Sequence, residues 1–300
     1  MKSFMRKISL VLLFALTLFG GAAAMTRERS TALRVGTYNL WRSDLGKGDY
    51  RWELRRDRLV RSIEDLGMDV FAAEEVDTTI FRELPSRMEQ YGWLVFSPYS
   101  EDGSGSVKSQ AIIYRKDRLE PLDFHHFWLS PTPDKMSSGW DEMKFKRGAC
   151  CATFRLKGVR GDRRIFVMIS HFPLGKEARL NIAPLIVEME KKYNPDGLPS
   201  FFMGDLNTRE ERPESFILRE WWSDSFLSLD GEAKSGPKGT FNNHGVNTDM
   251  EAAPRIDFVY YRGKGIVPLR YVCDDTLYDG FYPSDHCPVY TDFLIDTGRN

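Results

Sequence analysis

From Leu33 onward, stretches with the two-residue alternation of strands and stretches with helical spacing follow one another, which limits the fold to helices packed on sheets. Residues 33–40 (LRVGTYNL) alternate as a strand, and 53–66 then place Leu59, Ile63 and Leu66 on one helical face. Short apolar strands are expected at 69–73, 110–114, 149–156, 164–170, 200–204, 256–261 and 287–295, with a long helix at 176–193. A further helix is expected over 79–91, with Pro85 either interrupting it or sitting near its start. Strands outnumber those of a simple doubly wound sheet, so the expectation is one α+β domain. Residues 97–109 and 131–147 interrupt the rhythm as surface loops, and no repeat or low-complexity tract is present.

The polar residues able to do chemistry sit where these strands end. Asn39 closes the first strand, Glu75 follows the second, and His171 follows the dense run 165–170. Asp205 and Asn207 follow Phe201-Phe202-Met203-Gly204, Asp257 lies in Arg255-Ile256-Asp257-Phe258, and Asp285-His286 precede the last strand. Each has an ordinary explanation alone, as a turn cap, a solvated charge or a structural histidine. Their repetition at strand ends points to one shared site. Carboxylate and amide oxygens suit a hard cation such as Mg²⁺ or Mn²⁺ rather than zinc. Histidines beside them can move protons near neutral pH, and the set suits metal-assisted hydrolysis of a phosphoester.

The N-terminus reads as an export signal. Lys2, Arg6 and Lys7 precede an apolar run at 8–19, then Gly20-Gly21 and Ala22-Ala23-Ala24, with cleavage expected after Ala24. The run is short for a bilayer span, so no stable membrane insertion is expected after cleavage. Removing residues 1–24 changes a net charge of −1 to −4, with 39 basic against 43 acidic residues. That balance argues against gripping duplex DNA mainly by charge. Acidic residues also interleave the arginines of the first helix (Arg51, Arg55, Arg56, Arg58, Arg61), which therefore reads as a solvated face. The protein is expected to be periplasmic or extracellular, and a monomer. Export permits a disulfide from Cys150 or Cys151 to Cys273 or Cys287, while buried free thiols are the alternative.

Gly36-Thr37-Tyr38-Asn39-Leu40-Trp41, Glu74-Glu75-Val76, Ser170-His171-Phe172, Gly204-Asp205-Leu206-Asn207, Arg255-Ile256-Asp257-Phe258 and Ser284-Asp285-His286-Cys287-Pro288 resemble, in order, the motifs of the endonuclease/exonuclease/phosphatase superfamily. Residues 127–130, 139–141 and Arg147 are similar to an exported bacterial branch of it. The resemblance implies a deoxyribonuclease-I-like four-layer α/β/β/α sandwich. It implies that Glu75, with Asn39, ligates Mg²⁺ (Mn²⁺ as a substitute) and that Asp285 supports the metal site. It further implies that Asp205 orients or deprotonates the attacking water and that Asn207 holds that water or the phosphate. Asp257 would then fix the His286 tautomer, and His286 and His171 would stabilise the transition state. Arg147 and Trp140 are candidate substrate contacts.

Two departures stand out. Glu74 occupies a place where the family often has Gln, and Phe172-Pro173-Leu174 stands where related bacterial members carry Leu-Asp-His. The expected function is an exported Mg²⁺-dependent phosphoesterase cleaving phosphodiesters, a nuclease first. The alternatives are a phosphatase or phosphodiesterase for sugar, inositol or lipid head-group phosphoesters, and an inactive binding module on the same fold. The inactive module predicts loss of a metal-binding or water-orienting residue, and none of those positions is lost.

Overall fold

The structure, a computed structural model, describes residues 30–96, 109–141 and 146–297. The expected signal at 1–24 and most of the 97–109 loop lie outside the described residues.

In chain order the elements are β1 (Ser30–Asn39), α1 (Trp52–Leu66), β2 (Val70–Glu74), α2 (Thr78–Glu83), β3 (Tyr91–Phe96), β4 (Gln110–Arg115), β5 (Leu119–Pro121), β6 (His125–Trp128), β7 (Gly148–Leu156), β8 (Arg164–Ser170), α3 (Lys176–Tyr193), β9 (Ser200–Asp205), α4 (Pro213–Trp221), β10 (Ser223–Asp224), β11 (Lys234–Ser235), β12 (Asp257–Arg262), β13 (Ile266–Cys273) and β14 (Val289–Asp296). One sheet runs β11-β13-β14-β1-β2-β4-β3. The other runs β10-β12-β9-β8-β7-β5, with β6 also paired to β7.

Side-chain alternation explains the layering. On β1, Leu33 and Val35 face the other sheet, while Tyr38 faces α1. On β9, Phe201 and Met203 point inward and Phe202 points toward α3. Leu59, Ile63 and Leu66 of α1 and Ile80 of α2 cover the first sheet. Ile182, Ile186 and Met189 of α3 and Leu218 of α4 cover the second. Each such side chain contributes about 1.5–3 kcal/mol by leaving water. The result is the expected four-layer α/β/β/α sandwich.

Some boundaries move. The helix expected over 79–91 stops at Glu83, because Pro85 has no amide hydrogen to continue the ladder. Strand β3 takes up the rest of that segment. The solvated face expected of the α1 arginines is corrected for two of them. Arg55 is fully buried and Arg58 nearly so, each using its guanidinium on backbone carbonyls. The four cysteines are buried free thiols, and Cys150 and Cys151 point to opposite faces of β7. No described helix is long and apolar enough to cross a membrane.

Candidate active site

Strand direction assembles the site. β1 and β2 are parallel and end together at Asn39 and Glu74, and β8 and β9 are parallel and end together at Ser170 and Asp205. β12 is antiparallel to β9, with Asp257 opposite Asp205, and β14 is antiparallel to β1, so both strands begin at that same end. The inward apolar faces turn polar there. Val70 and Ala72 lead to Glu74, Phe201 and Met203 lead to Asp205, and Val259 neighbours Asp257 on the same face.

Asp205 is the hub. Its Oδ2 accepts from Asn39 Nδ2 at 3.1 Å and lies 3.3 Å from His171 Nε2 and 3.7 Å from His286 Nε2. Its Oδ1 accepts the Asn207 amide at 3.0 Å. Gly204 permits this convergence: its φ is 149°, and a Cβ there would lie 1.9 Å from the Ser170 carbonyl oxygen, so only glycine fits. His286 Nδ1 lies 2.9 Å from Asp257 Oδ2, and the Thr240 hydroxyl donates to the same oxygen. Asp205, Asp257 and His286 are the one group of three acidic or imidazole ligands within metal-holding distance among the described residues. Within it only Asp257 Oδ2 and His286 Nδ1 are hydrogen-bonded to one another, and Asn39, Glu75 and Asp285 offer further oxygen donors able to hold a cation.

Those three surround the same mouth. Asn39 Oδ1 accepts the Trp41 amide at 3.0 Å, and Glu75 Oε2 accepts the Arg42 amide at 3.3 Å. The Ser284 hydroxyl donates to the Asn39 carbonyl, tying the Asp285 turn to β1. Asp285 is pushed up by burial, with Glu75 adding to the rise against the opposing charge of His286. Two carboxylates that repel each other in a buried mouth are a setting that a hard cation relieves.

Burial raises the Asp205 carboxyl to about 7, with Asp257 adding to the shift. Burial pulls the His286 imidazole down, yet Asp257 and Asp205 outweigh it and hold it well above the usual range. Glu74 is raised well above the usual carboxyl range by burial and by Asp257 and Asp205. Five of the seven described non-glycine residues with positive φ, Trp41, Glu75, Asn207, Asn243 and His244, border this mouth. Backbone held in this sparsely populated region concentrates at functional sites.

Every sequence-derived candidate except Trp140 belongs to this assembly. Asn207 donates from Nδ2 to the Phe172 carbonyl at 2.8 Å, which fixes its side chain beside His171. Arg147 donates to the His171 carbonyl at 3.5 Å. Trp140 instead packs on α3 beside Pro184 and Leu185, because its indole extends the outer apolar core. Its neighbour Asp141 accepts the Ala178 amide at the start of α3.

The profile of the Endonuclease/Exonuclease/phosphatase family matches residues 36–286, from the first motif to the last. The chain belongs to the endonuclease/exonuclease/phosphatase family. Enzymes of this family hydrolyse phosphoesters and typically use a divalent metal. The structure is similar to an endonuclease/exonuclease/phosphatase from Bacteroides vulgatus (TM-score 0.78, 24% identity, covering 89% of this chain and 100% of that one). It is also similar to a mannosyl-6-phosphatase, Bt3783, of Bacteroides thetaiotaomicron (TM-score 0.73, 24% identity, 87% and 99%). Among curated proteins it is 23% identical over 166 residues to the uncharacterized protein L388 of Acanthamoeba polyphaga mimivirus. That match covers 54% of this chain and 61% of the relative.

Within this family member, Glu74 takes the place of the frequent Gln as a buried acid. It sits between the sheets with the Thr37 hydroxyl 3.1 Å from both its oxygens. Sequence reasoning missed two contributors. Thr240, from a loop without strand or helix signal, contacts Asp257. Arg55 holds the carbonyls of Leu40, Trp41, Arg42 and Pro283, and so fixes the turns bearing Asn39 and Asp285.

Proposed function

We propose that this protein is an exported, Mg²⁺-dependent phosphoesterase acting on small phosphoesters. The observation that carries the reading is the run Asp257–His286–Asp205–His171, in which a carboxyl raised to about 7 lies between two imidazoles. A base titrating near neutrality is matched to accepting a proton from water at working pH.

Asp205 Oδ2 takes the proton as the water oxygen attacks phosphorus. The ester P–O bond breaks, and the departing oxygen receives a proton from His171 or His286. Asp257 fixes the His286 tautomer through Nδ1, leaving Nε2 to face the phosphoryl group. Asn207 offers its Oδ1 and second amide hydrogen to the water or phosphate. Asn39, Glu75 and Asp285 would hold the divalent cation, which supplies positive charge at a phosphate oxygen when bound.

Small substrates are supported by how the arginines are used. Arg55 and Arg58 are buried, while Arg56, Arg61 and Arg87 pair with Glu83, Asp279 and Asp57, so α1 offers no broad basic face for a duplex. The second reading is a single-stranded nucleic-acid phosphodiester. It is favoured by the ring stack of Trp41 and His244, at 5.3 Å beside Asp285, with Tyr50 against His244.

The test is hydrolysis by purified protein, with Mg²⁺, Mn²⁺ or EDTA, of sugar phosphates, phosphoinositides, single-stranded DNA, RNA and plasmid. Cleavage of small esters with metal is expected, whereas plasmid cleavage above all others would reverse the substrate assignment. Export is checked by N-terminal sequencing of the protein recovered outside the cytoplasm, with a start after Ala24 expected.

A further inference from the structure

Arg147 is the exception among the buried arginines. A guanidinium carries five N–H donors and stays charged in proteins. Arg55 commits its donors to four carbonyls, and Arg255 commits its own to Asp224 and Glu210. Arg147 is only 7% exposed, yet its one hydrogen bond is the 3.5 Å contact from Nη1 to the His171 carbonyl, and it pairs with no described carboxylate. Its Nε and Nη2 make no hydrogen bond to any described residue. Its backbone is fixed where β6 meets β7, through the Leu129 amide at 2.9 Å on its carbonyl.

The charge also belongs to the site, through its contact with the His171 carbonyl. Asp205 and Glu75 are the charged groups that act on the Arg147 guanidinium, which rests on the carbonyl of His171. His171 and His286 already face Asp205. We propose that Arg147 selects phosphomonoesters over phosphodiesters by binding the third non-bridging oxygen of the terminal phosphate. A monoester near pH 7 carries about −1.5 to −2 charge on three such oxygens, whereas a diester carries a single charge on two. A planar fork with unused donors rewards that extra oxygen and charge.

The inference rests on the phosphoester reading above, and its test separates the two. Wild type, Arg147→Gln and Arg147→Lys are compared on p-nitrophenyl phosphate and bis-p-nitrophenyl phosphate with Mg²⁺. Arg147→Gln is expected to lower the monoester-to-diester ratio of kcat/KM at least about tenfold, through KM more than kcat. Arg147→Lys, which keeps the charge but not the fork, falls between and carries the test if the glutamine variant does not fold. A ratio unchanged in both variants overturns the proposal. A second arm measures the thermal shift given by inorganic phosphate in EDTA, where no turnover is involved. Wild type is expected to be stabilised and Arg147→Gln to lose that response, and an equal response in both overturns the assignment. Absence of hydrolysis by wild type on either ester would count against the phosphoester reading, and the phosphate arm would still decide the role of Arg147.

Discussion

His286 Nδ1 lies 2.9 Å from Asp257 Oδ2, while the opposite nitrogen of the ring faces Asp205 Oδ2 at 3.7 Å. One carboxylate thus orients the imidazole that meets the other. Asp257→Asn keeps the shape but removes the charge and its hold on the tautomer. We expect kcat to fall about 10²–10⁴-fold with KM little changed. Adding His286→Ala to it should cost far less than the two single losses combined, since the residues act as a unit. Steady-state kinetics of both single variants and the double variant check this.

Arg55 ties four backbone carbonyls from two turns and lies against the faces of Trp41 and Trp52. Arg55→Met fills similar space but leaves those carbonyls short of donors. Denaturant unfolding should show a loss of about 3 kcal/mol or more, and Arg55→Lys a smaller one. An unchanged unfolding midpoint for Arg55→Met would show that the tie contributes little.

Gly204 lets β9 approach the end of β8 closely enough for Asp205 to meet His171. Gly204→Ala places a methyl 1.9 Å from the Ser170 carbonyl, against backbone that cannot swing away. Calorimetry should show a destabilisation of about 2–4 kcal/mol, with activity lost even where the protein stays folded.

Burial raises the folded pKa of Glu74 well above its unfolded value. Above the unfolded pKa, the unfolded state has released a proton that the native state still holds. Stability from this group is therefore full at low pH and declines as pH rises toward the folded pKa. Glu74→Gln removes that dependence and restores the amide frequent in the family. In EDTA, melting temperatures at pH 5 and pH 8 should show the variant gaining on wild type as pH rises. A gap that stays constant with pH would contradict the upward shift of Glu74.

Much of this was legible in the sequence where local pattern and chemistry agree. The helix at 176–193 appears with the same bounds, because its apolar spacing is regular and Asn194-Pro195 ends it. Asn39, Glu75, His171, Asp205, Asp257 and Asp285-His286 could be picked out because each breaks an apolar run at its end. The strands at 91–96 and 266–273 were missed: the first follows a proline-interrupted helix, and the second mixes Pro268 and Arg270 into an irregular register. Arg55 reads in sequence as part of a solvated face because its neighbours are acidic, whereas its partners are backbone carbonyls of distant turns. Trp140 drew attention as an aromatic in a loop, yet a loop aromatic can also complete the core beneath a helix.

The most direct measurement is the initial rate of p-nitrophenyl phosphate and bis-p-nitrophenyl phosphate hydrolysis by the purified protein and its Asp205→Asn variant, in Mg²⁺ and in EDTA. The account predicts turnover by wild type in Mg²⁺, its loss in EDTA, and a fall of at least about 10²-fold in the variant. Failure of wild type to cleave either ester with metal, or full activity in Asp205→Asn, would contradict it.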